Sequence, residues 1–284
     1  MIDFFIGPFA NNEFMIKALV AGILVSVVCA IAGTFIVLRG LAFIGDALAH
    51  GVLPGIAAAV LFGFPGIIGA TVGAAVMIGG VTLITQRSRL SSDTAIGLLF
   101  VSMLALGVAI VSRSGSFSGD LTRILFGELL GISWSNIWLL LASAIIIGIV
   151  AIVSARPFML LAFDPEQAQV AGFSARKYHF LMLVMIAATV IVSFQTVGTL
   201  LVFGLLIAPA GAGALLASRI GTMMALATIF GAFSMFTGLL VSYHLNIAAG
   251  ASVILVAAAI FFTVFVVKNV SARRAPGVSE GAHG

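Results

Sequence analysis

The sequence predicts an all-α integral membrane protein, a polytopic bundle of about eight or nine transmembrane helices with a short cytoplasmic helix. Of its 284 residues, 62% are hydrophobic and only 8% are charged, whereas about a quarter of the residues in a soluble domain are charged. The apolar residues form stretches close to the roughly 20 residues that a helix needs to cross a bilayer. Basic residues cluster at the ends of these stretches, so chain orientation explains them without a nucleic-acid partner.

Short polar connections divide most of the chain into nine apolar stretches. The count falls to eight if 178–218 or the opening stretch is partly re-entrant. We expect one transmembrane domain over 1–270 and a disordered cytoplasmic tail over 271–284, which is polar and rich in Gly and Pro. The stretches are 16–38, 46–62, 66–86, 94–112, 134–154, 178–193, 198–218, 222–243 and 249–267.

The distribution of Lys and Arg predicts which side of the membrane each connection faces. If the C-terminal tail is cytoplasmic, ten basic residues fall inside and three fall outside, which is a clear positive-inside bias. Nine spans then place the N-terminus outside. The inner set is Arg39, Arg87, Arg89, Arg156, Arg176, Lys177, Arg219, Lys268, Arg273 and Arg274, and the outer set is Lys17, Arg113 and Arg123.

The segment 39–55, RGLAFIGDALAHGVLPG, carries a carboxylate and an imidazole at helical spacing. Asp46 and His50 stand four residues apart, so they share one face if the segment is helical. Such a pair can hold one divalent cation, and it suits Zn²⁺ or Mn²⁺ better than Mg²⁺ or Ca²⁺, which prefer oxygen ligands. Pro54 offers no N–H to the carbonyl of His50, so we expect a bend there. The alternative is an Asp N-cap followed by an interfacial His.

The outer connection 112–134 contains apolar residues at helical spacing over 121–130. Asp120 is placed to cap this helix, and Asp120 and Glu128 make the outer mouth acidic. The mouth could attract cations and dock a protein that delivers metal, or it could be an interfacial helix with solvated charges. His244, on a later outer connection, could likewise bind metal or be solvated.

The inner connection 156–178 contains FDPEQAQVAG, which predicts a short capped helix. Asp164 is placed as the N-cap, and Pro165 takes the first helical position. Glu166 follows in the first turn, and Gly172 suits the C-terminal end. A short helix between two spans lacks an apolar partner unless it docks on another molecule. The alternative is a capped surface loop.

Four other polar or helix-disrupting residues are interpreted individually. Pro209 lies inside an apolar run, where a lost hydrogen bond is tolerated only if the bundle or a water-lined cavity compensates, so we expect a second helix break. Asp93, at the start of a span, is explained by N-capping. Cys29 is explained by packing, and His179 is assigned no role.

The sequence lacks two motifs that are typical of ATPases and zinc metalloproteases. It contains no G-x-x-x-x-G-K-[ST] stretch, so it has no Walker-type loop for ATP, and it contains no H-E-x-x-H helix. We therefore expect a chain that is not an enzyme. If the chain takes part in ATP-driven transport, ATP hydrolysis must occur on a separate polypeptide.

The motif GDALAHGVLPG, within 39–55, resembles the signature of the zinc/manganese family of ABC importer permeases, the membrane subunits of bacterial metal-ion uptake systems. FDPEQAQVAG and the run that ends at Pro209 resemble two further motifs of this family, and the resemblance covers about 20–267. The sequence departs from the family where Asn246 replaces an Asp and Ala248 a Pro. The resemblance implies that Asp46 and His50 lie on the path of a transported zinc or manganese ion.

The resemblance also implies partners and a location. A separate ATPase subunit would contact the cytoplasmic helix, an extracytoplasmic metal-binding protein would deliver the ion, and two copies of the chain would form a homodimer. The assembly would lie in the bacterial cytoplasmic (inner) membrane and work by alternating access. An imidazole ligand slightly favours zinc by ligand type and the Irving–Williams order.

Two other classes of function remain as alternatives. A proton-coupled secondary metal transporter could use Asp46, but such transporters show inverted repeats, and no repeat is visible in this sequence. An intramembrane metalloenzyme could use Asp46 and His50, but catalytic sites generally bring a third ligand and a general base.

Overall fold

The computed structural model describes residues 2–113 and 131–274, and within them the chain is helical. Nine helical segments of this described part are long and apolar enough to cross a membrane. This confirms the predicted fold class. The helices are α1 (Ile2–Asn11), α2 (Glu13–Leu38), α3 (Ala42–Gly51), α4 (Leu53–Leu61), α5 (Gly66–Arg87), α6 (Ser92–Arg113), α7 (Trp134–Val153), α8 (Ala155–Phe163), α9 (Pro165–Val170), α10 (Ala175–Val197), α11 (Thr199–Leu216), α12 (Ile220–Leu245) and α13 (Ala249–Arg274).

The helices form two packed groups that α10 connects. In one group α2, α11 and α12 contact one another, and α13 packs on α11 and α12. In the other group α4, α5 and α6 contact one another, and α3 packs on α5 and α6. Helix α10 contacts α2 and α11 of the first group and α3 and α5 of the second. The α3–α4 segment is therefore held between neighbours of both groups.

Small residues allow the closest helix contacts. A Cβ added to Gly33 on α2 would overlap the carbonyl of Leu206 on α11, and a Cβ added to Gly55 on α4 would overlap the carbonyl of Gly69 on α5. Because lipid supplies little hydrophobic drive between helices, close backbone packing of this kind is a main source of their association.

Two short helices were not expected from the sequence. Helix α1 contains Pro8 and ten residues, and α8 contains Pro157 and nine residues. Both are too short to cross a bilayer, so a search for apolar spans passes over them. Helix α8 occupies most of the segment between α7 and Asp164, where the sequence predicted a connection without a helix. Only one residue, Ser154, lies between α7 and α8, and Asp164 follows α8 directly.

The helix break expected at Pro209 is absent. Helix α11 is continuous from Thr199 to Leu216 with Pro209 buried inside it. The proline removes one N–H donor from the ladder. The surrounding turns keep their helical conformation, and the packed neighbours α2, α12 and α13 enclose this part of α11. Asp120, Glu128 and the end of the expected tail, 275–284, lie outside the described residues, and α13 continues to Arg274.

Candidate functional site

Asp46 and His50 share one face of α3, four residues apart as expected. Asp46 Oδ1 lies 3.4 Å from His50 Nε2, and the side chains are 34% and 24% exposed, respectively. The helical spacing and the common face together produce this short distance. Both groups are therefore partly desolvated yet open to a small ion.

The separation of the two atoms suits a shared cation. With metal–nitrogen and metal–oxygen bonds of about 2.1 Å, atoms 3.4 Å apart subtend about 108° at one ion. The described residues contain no group of three or more His, Cys, Asp or Glu side chains able to hold a metal. One copy of the described chain thus offers two protein ligands, which suits brief binding better than permanent binding.

The ring of His50 is oriented by packing. Its centroid lies 5.6 Å from that of Phe100 on α6, in an edge-to-face arrangement. Its second nitrogen, Nδ1, is buried and has no hydrogen-bond partner in the described part of the chain. The imidazole therefore has its Nε2 atom towards Asp46 and its Nδ1 atom in the packed interior.

The helix that carries the pair ends immediately after His50. Helix α3 ends at Gly51, Val52 separates the helices, and Pro54 is the second residue of α4. Pro54 packs closely on α6, where a Cβ added to Gly107 would lie 3.3 Å from the proline nitrogen. Pro54 thus removes one backbone N–H donor beside the pair, while Val52 keeps helical dihedral angles (φ −80°, ψ −19°).

A cavity of about 500 Å³ joins Asp46 to Asp93 at the start of α6. Phe43, Thr94 and Phe100 also line it. The expectation that Asp93 is the N-cap of α6 is wrong. The cap is Ser91, whose Oγ accepts a hydrogen bond from the backbone N–H of Thr94 at 3.2 Å, because the helix begins at Ser92 and places Asp93 within the first turn.

Arg39 and His179 form a contact that the sequence analysis missed. Arg39 Nη1 donates to His179 Nδ1 at 3.1 Å and joins the end of α2 to the start of α10. Burial lowers the pKa of the Arg39 guanidinium, but an arginine stays charged at neutral pH. The two residues are 140 positions apart, so no local pattern could have indicated this pair.

The predicted cytoplasmic helix is present as α9. Asp164 Oδ1 accepts hydrogen bonds from the backbone N–H groups of Glu166 at 2.9 Å and Gln167 at 3.1 Å. Pro165 is the first residue of the helix, and Gly172 follows it with a φ of +84°. The predicted capping is confirmed, whereas the docking of this helix stays a prediction.

An aromatic chain leads from the end of this segment to α2. Phe173, just after Gly172, lies 5.5 Å from Tyr178, which lies 6.4 Å from Phe158 of α8. Phe158 in turn lies 5.1 Å from Phe35 of α2, with all distances between ring centroids. The segment around α9 is therefore connected through packed rings to the same end of α2 that carries Arg39.

His244, which the sequence analysis places on an outer connection, is not among the residues that line the cavity of Asp46. His244 is in the last turn of α12, and its ring centroid lies 5.4 Å from that of Tyr243.

Comparisons with known proteins give a consistent assignment. The profile of the ABC 3 transport family matches residues 11–268. The manganese transport system membrane protein MntC of Halalkalibacterium halodurans is 35% identical over 93% of this chain and 90% of its own length. A probable iron transport system membrane protein of Haemophilus influenzae is 36% identical over 92% of this chain and 96% of its own length.

A solved structure supports the same assignment. The structure of PsaBC from Streptococcus pneumoniae in complex with Fab matches with a TM-score of 0.82 and 34% identity. The match covers 93% of this chain and 95% of the solved chain. Fold and sequence therefore agree over nearly the whole length.

Proposed function

Because the chain belongs to the ABC 3 transport family and is a multi-pass protein of the bacterial inner membrane, we propose that it is the permease subunit of an ATP-driven importer of divalent transition-metal ions. The observation that carries this proposal is the Asp46–His50 pair, whose Oδ1 and Nε2 atoms lie 3.4 Å apart and whose carboxylate residue, Asp46, lines a cavity. A carboxylate and an imidazole together favour a transition metal over Mg²⁺ or Ca²⁺.

Manganese is the first candidate for the transported ion. The relatives described above are named for manganese and iron transport, and both metals accept mixed nitrogen and oxygen ligands. Zinc, which the imidazole ligand alone slightly favours, is the second candidate. The ion is bound as cargo, so two protein ligands, completed by water or by a second copy of the chain, give binding weak enough for release.

A homodimer fits this incomplete site. Each copy offers one carboxylate and one imidazole, and two copies facing each other across the path would offer four ligands. Asp93 lines the same cavity as Asp46, and we place it on the inner part of the path. An extracytoplasmic metal-binding protein would deliver the ion at the outer face.

A separate ATPase subunit would drive the cycle through α9. Val170, at the end of this helix, is 91% exposed, which leaves an apolar side chain for a docked partner to cover. Movement of α9 would pass through the packed rings of Phe173, Tyr178, Phe158 and Phe35 to α2. The Arg39–His179 hydrogen bond joins α2 to α10 at this end of the bundle, so α2 and α10 would move together.

Reconstitution tests this function directly. The chain, its co-expressed ATPase subunit and its binding protein are placed in vesicles, and uptake of radioactive Mn²⁺ is measured with and without ATP on the ATPase side. We expect uptake to require ATP and the binding protein and to be reduced by competing Mn²⁺ more than by Zn²⁺ or Fe²⁺. Uptake driven by a proton gradient without ATP would instead indicate a secondary transporter, and preferential competition by Zn²⁺ would assign zinc.

The proposed topology predicts the labelling of two single-cysteine variants. Gln169→Cys lies on the exposed side of α9, and Phe64→Cys lies in the α4–α5 connection, where Phe64 is 60% exposed. We expect a membrane-impermeant maleimide to label Phe64→Cys in intact cells and Gln169→Cys only after the inner face is exposed. The native Cys29 is fully buried and gives little background. The opposite labelling would invert the orientation.

A further inference from the structure

An apolar groove shares no lining residue with the cavity that Asp46 lines. It is formed by α2, by the α7–α8 segment and by the start of α12, and its volume is about 540 Å³, which is within the range of about 300–1,000 Å³ of small-molecule sites. Phe35, Ile152 and Met224 are among the apolar side chains that line it. Arg156 is the one charged residue among its lining residues.

We propose that this groove is a binding site for an anionic phospholipid of the leaflet on the α9 side. One acyl chain occupies the apolar groove, and the phosphate binds the guanidinium of Arg156. Under the topology proposed above, this is the cytoplasmic leaflet.

The groove lies at one end of the membrane-spanning helix α7. Its lining residues on α7 run from Gly148 to Ile152, within the last six residues of that helix, and Arg156 follows on α8 beyond the break at Ser154. Ile152 and Val153 are 77% and 76% exposed beside the groove, so this part of the surface faces the acyl region while Arg156 lies at its polar edge.

The charge at the mouth of the groove is available to a ligand. Arg156 is exposed, and it makes no ion pair or hydrogen bond with any residue in the described part of the chain. A guanidinium binds phosphate oxygens through two parallel N–H donors. Arg219, the residue before α12, adds a second exposed positive charge next to the groove residue Ile220. An apolar tail with an anionic head is the chemistry that fits this arrangement.

Two glycines keep the groove open. A Cβ added to Gly148 on α7 or to Gly221 on α12 would meet no atom within 4 Å. Gly148→Leu therefore places a side chain into the groove without disturbing the core, and leucine also favours the helix more than glycine does. Gly79 on α5 is exposed and equally open, so Gly79→Leu is a matched control outside the groove.

Lipid binding to the full chain purified in detergent tests the proposal. Native mass spectrometry counts bound phosphatidylglycerol and phosphatidylcholine during titration of the wild type and the variants. We expect the wild type to bind phosphatidylglycerol more tightly. Arg156→Gln should weaken phosphatidylglycerol binding about fivefold, which is the effect expected for one basic residue at a membrane surface. Gly148→Leu should weaken the binding of both lipids, and Gly79→Leu should change neither.

Two results would overturn the proposal. The first is equal binding of both lipids by all four proteins, which would mean that the groove makes no specific contribution. The second is an intermolecular disulfide formed by Ile152→Cys in native membranes, because a second copy of the chain would then cover the groove. These experiments measure lipid binding and cross-linking and not metal uptake, so neither result would contradict the proposed transport function.

Discussion

Asp46→Asn and His50→Ala should each abolish metal uptake by the reconstituted transporter, with a loss of at least about 100-fold. Changes to groups that merely orient metal ligands cost about 10–100-fold, and these two residues are the proposed ligands themselves. Asp46→Asn keeps the shape but removes the charge that offsets a desolvated divalent cation. His50→Ala removes the nitrogen ligand. Initial rates of Mn²⁺ uptake in vesicles measure both effects.

The double variant separates a shared site from two independent roles. If both side chains hold one ion, losing the second has no further effect, so the double variant should be no slower than either single variant. Expression and ATPase assembly should be normal, because both side chains are partly exposed. Asp93→Asn should reduce uptake by a smaller factor, about fivefold, since Asp93 is exposed and keeps most of its hydration.

A second carboxylate–base pair provides the control. Glu13 and Lys17 on α2 are also four residues apart, at 2.8 Å, and Glu13 is 70% exposed. Glu13→Gln removes a comparable charge from a transmembrane helix that does not line the cavity, so uptake should stay near the wild-type rate. Near-normal uptake by both Asp46→Asn and His50→Ala would show that the pair does not bind the transported ion.

The features that the sequence predicted well are those with local physical causes. The lengths of the apolar stretches predicted the membrane spans. The Asp164–Pro165 sequence predicted a capped helix, because the side chain of an N-cap residue accepts a hydrogen bond from the unpaired backbone N–H groups two or three residues later. The four-residue spacing of Asp46 and His50 likewise determines their common face. Each of these inferences needs fewer than about 20 consecutive residues.

The features that the sequence analysis missed depend on tertiary packing or on a choice between two similar N-cap residues. Arg39 and His179 meet only because α10 packs between the two helix groups. Ser91 and Asp93 are both good N-caps, and the sequence could not decide which residue begins α6. Pro209 breaks an isolated helix, but inside this bundle the surrounding helices hold α11 continuous.

Gly172→Val should uncouple the permease from its ATPase while leaving membrane insertion normal. Gly172 has a φ of +84°, where a residue with a Cβ pays about 1–2 kcal/mol and a β-branched one more. Relief of this strain requires the end of α9 to change direction, which also moves Phe173 away from the ring of Tyr178. We expect copurification of the ATPase subunit, and ATP hydrolysis stimulated by the binding protein, to fall about tenfold.

Two further variants distinguish coupling from general strain. Gly63, between α4 and α5, has a φ of +74°, and a Cβ added to it, as to Gly172, would meet no atom within 4 Å. Gly63→Val therefore introduces the same backbone strain on the opposite side of the membrane under the proposed topology. We expect this variant to leave ATPase copurification unchanged. Gly172→Asn should restore much of the coupling, because asparagine tolerates this conformation, as Asn246 does here at a φ of +53°. Two results would contradict the proposed role of α9 in coupling ATP hydrolysis to transport. One is an equal loss of ATPase copurification in Gly63→Val and Gly172→Val, and the other is unchanged coupling in Gly172→Val.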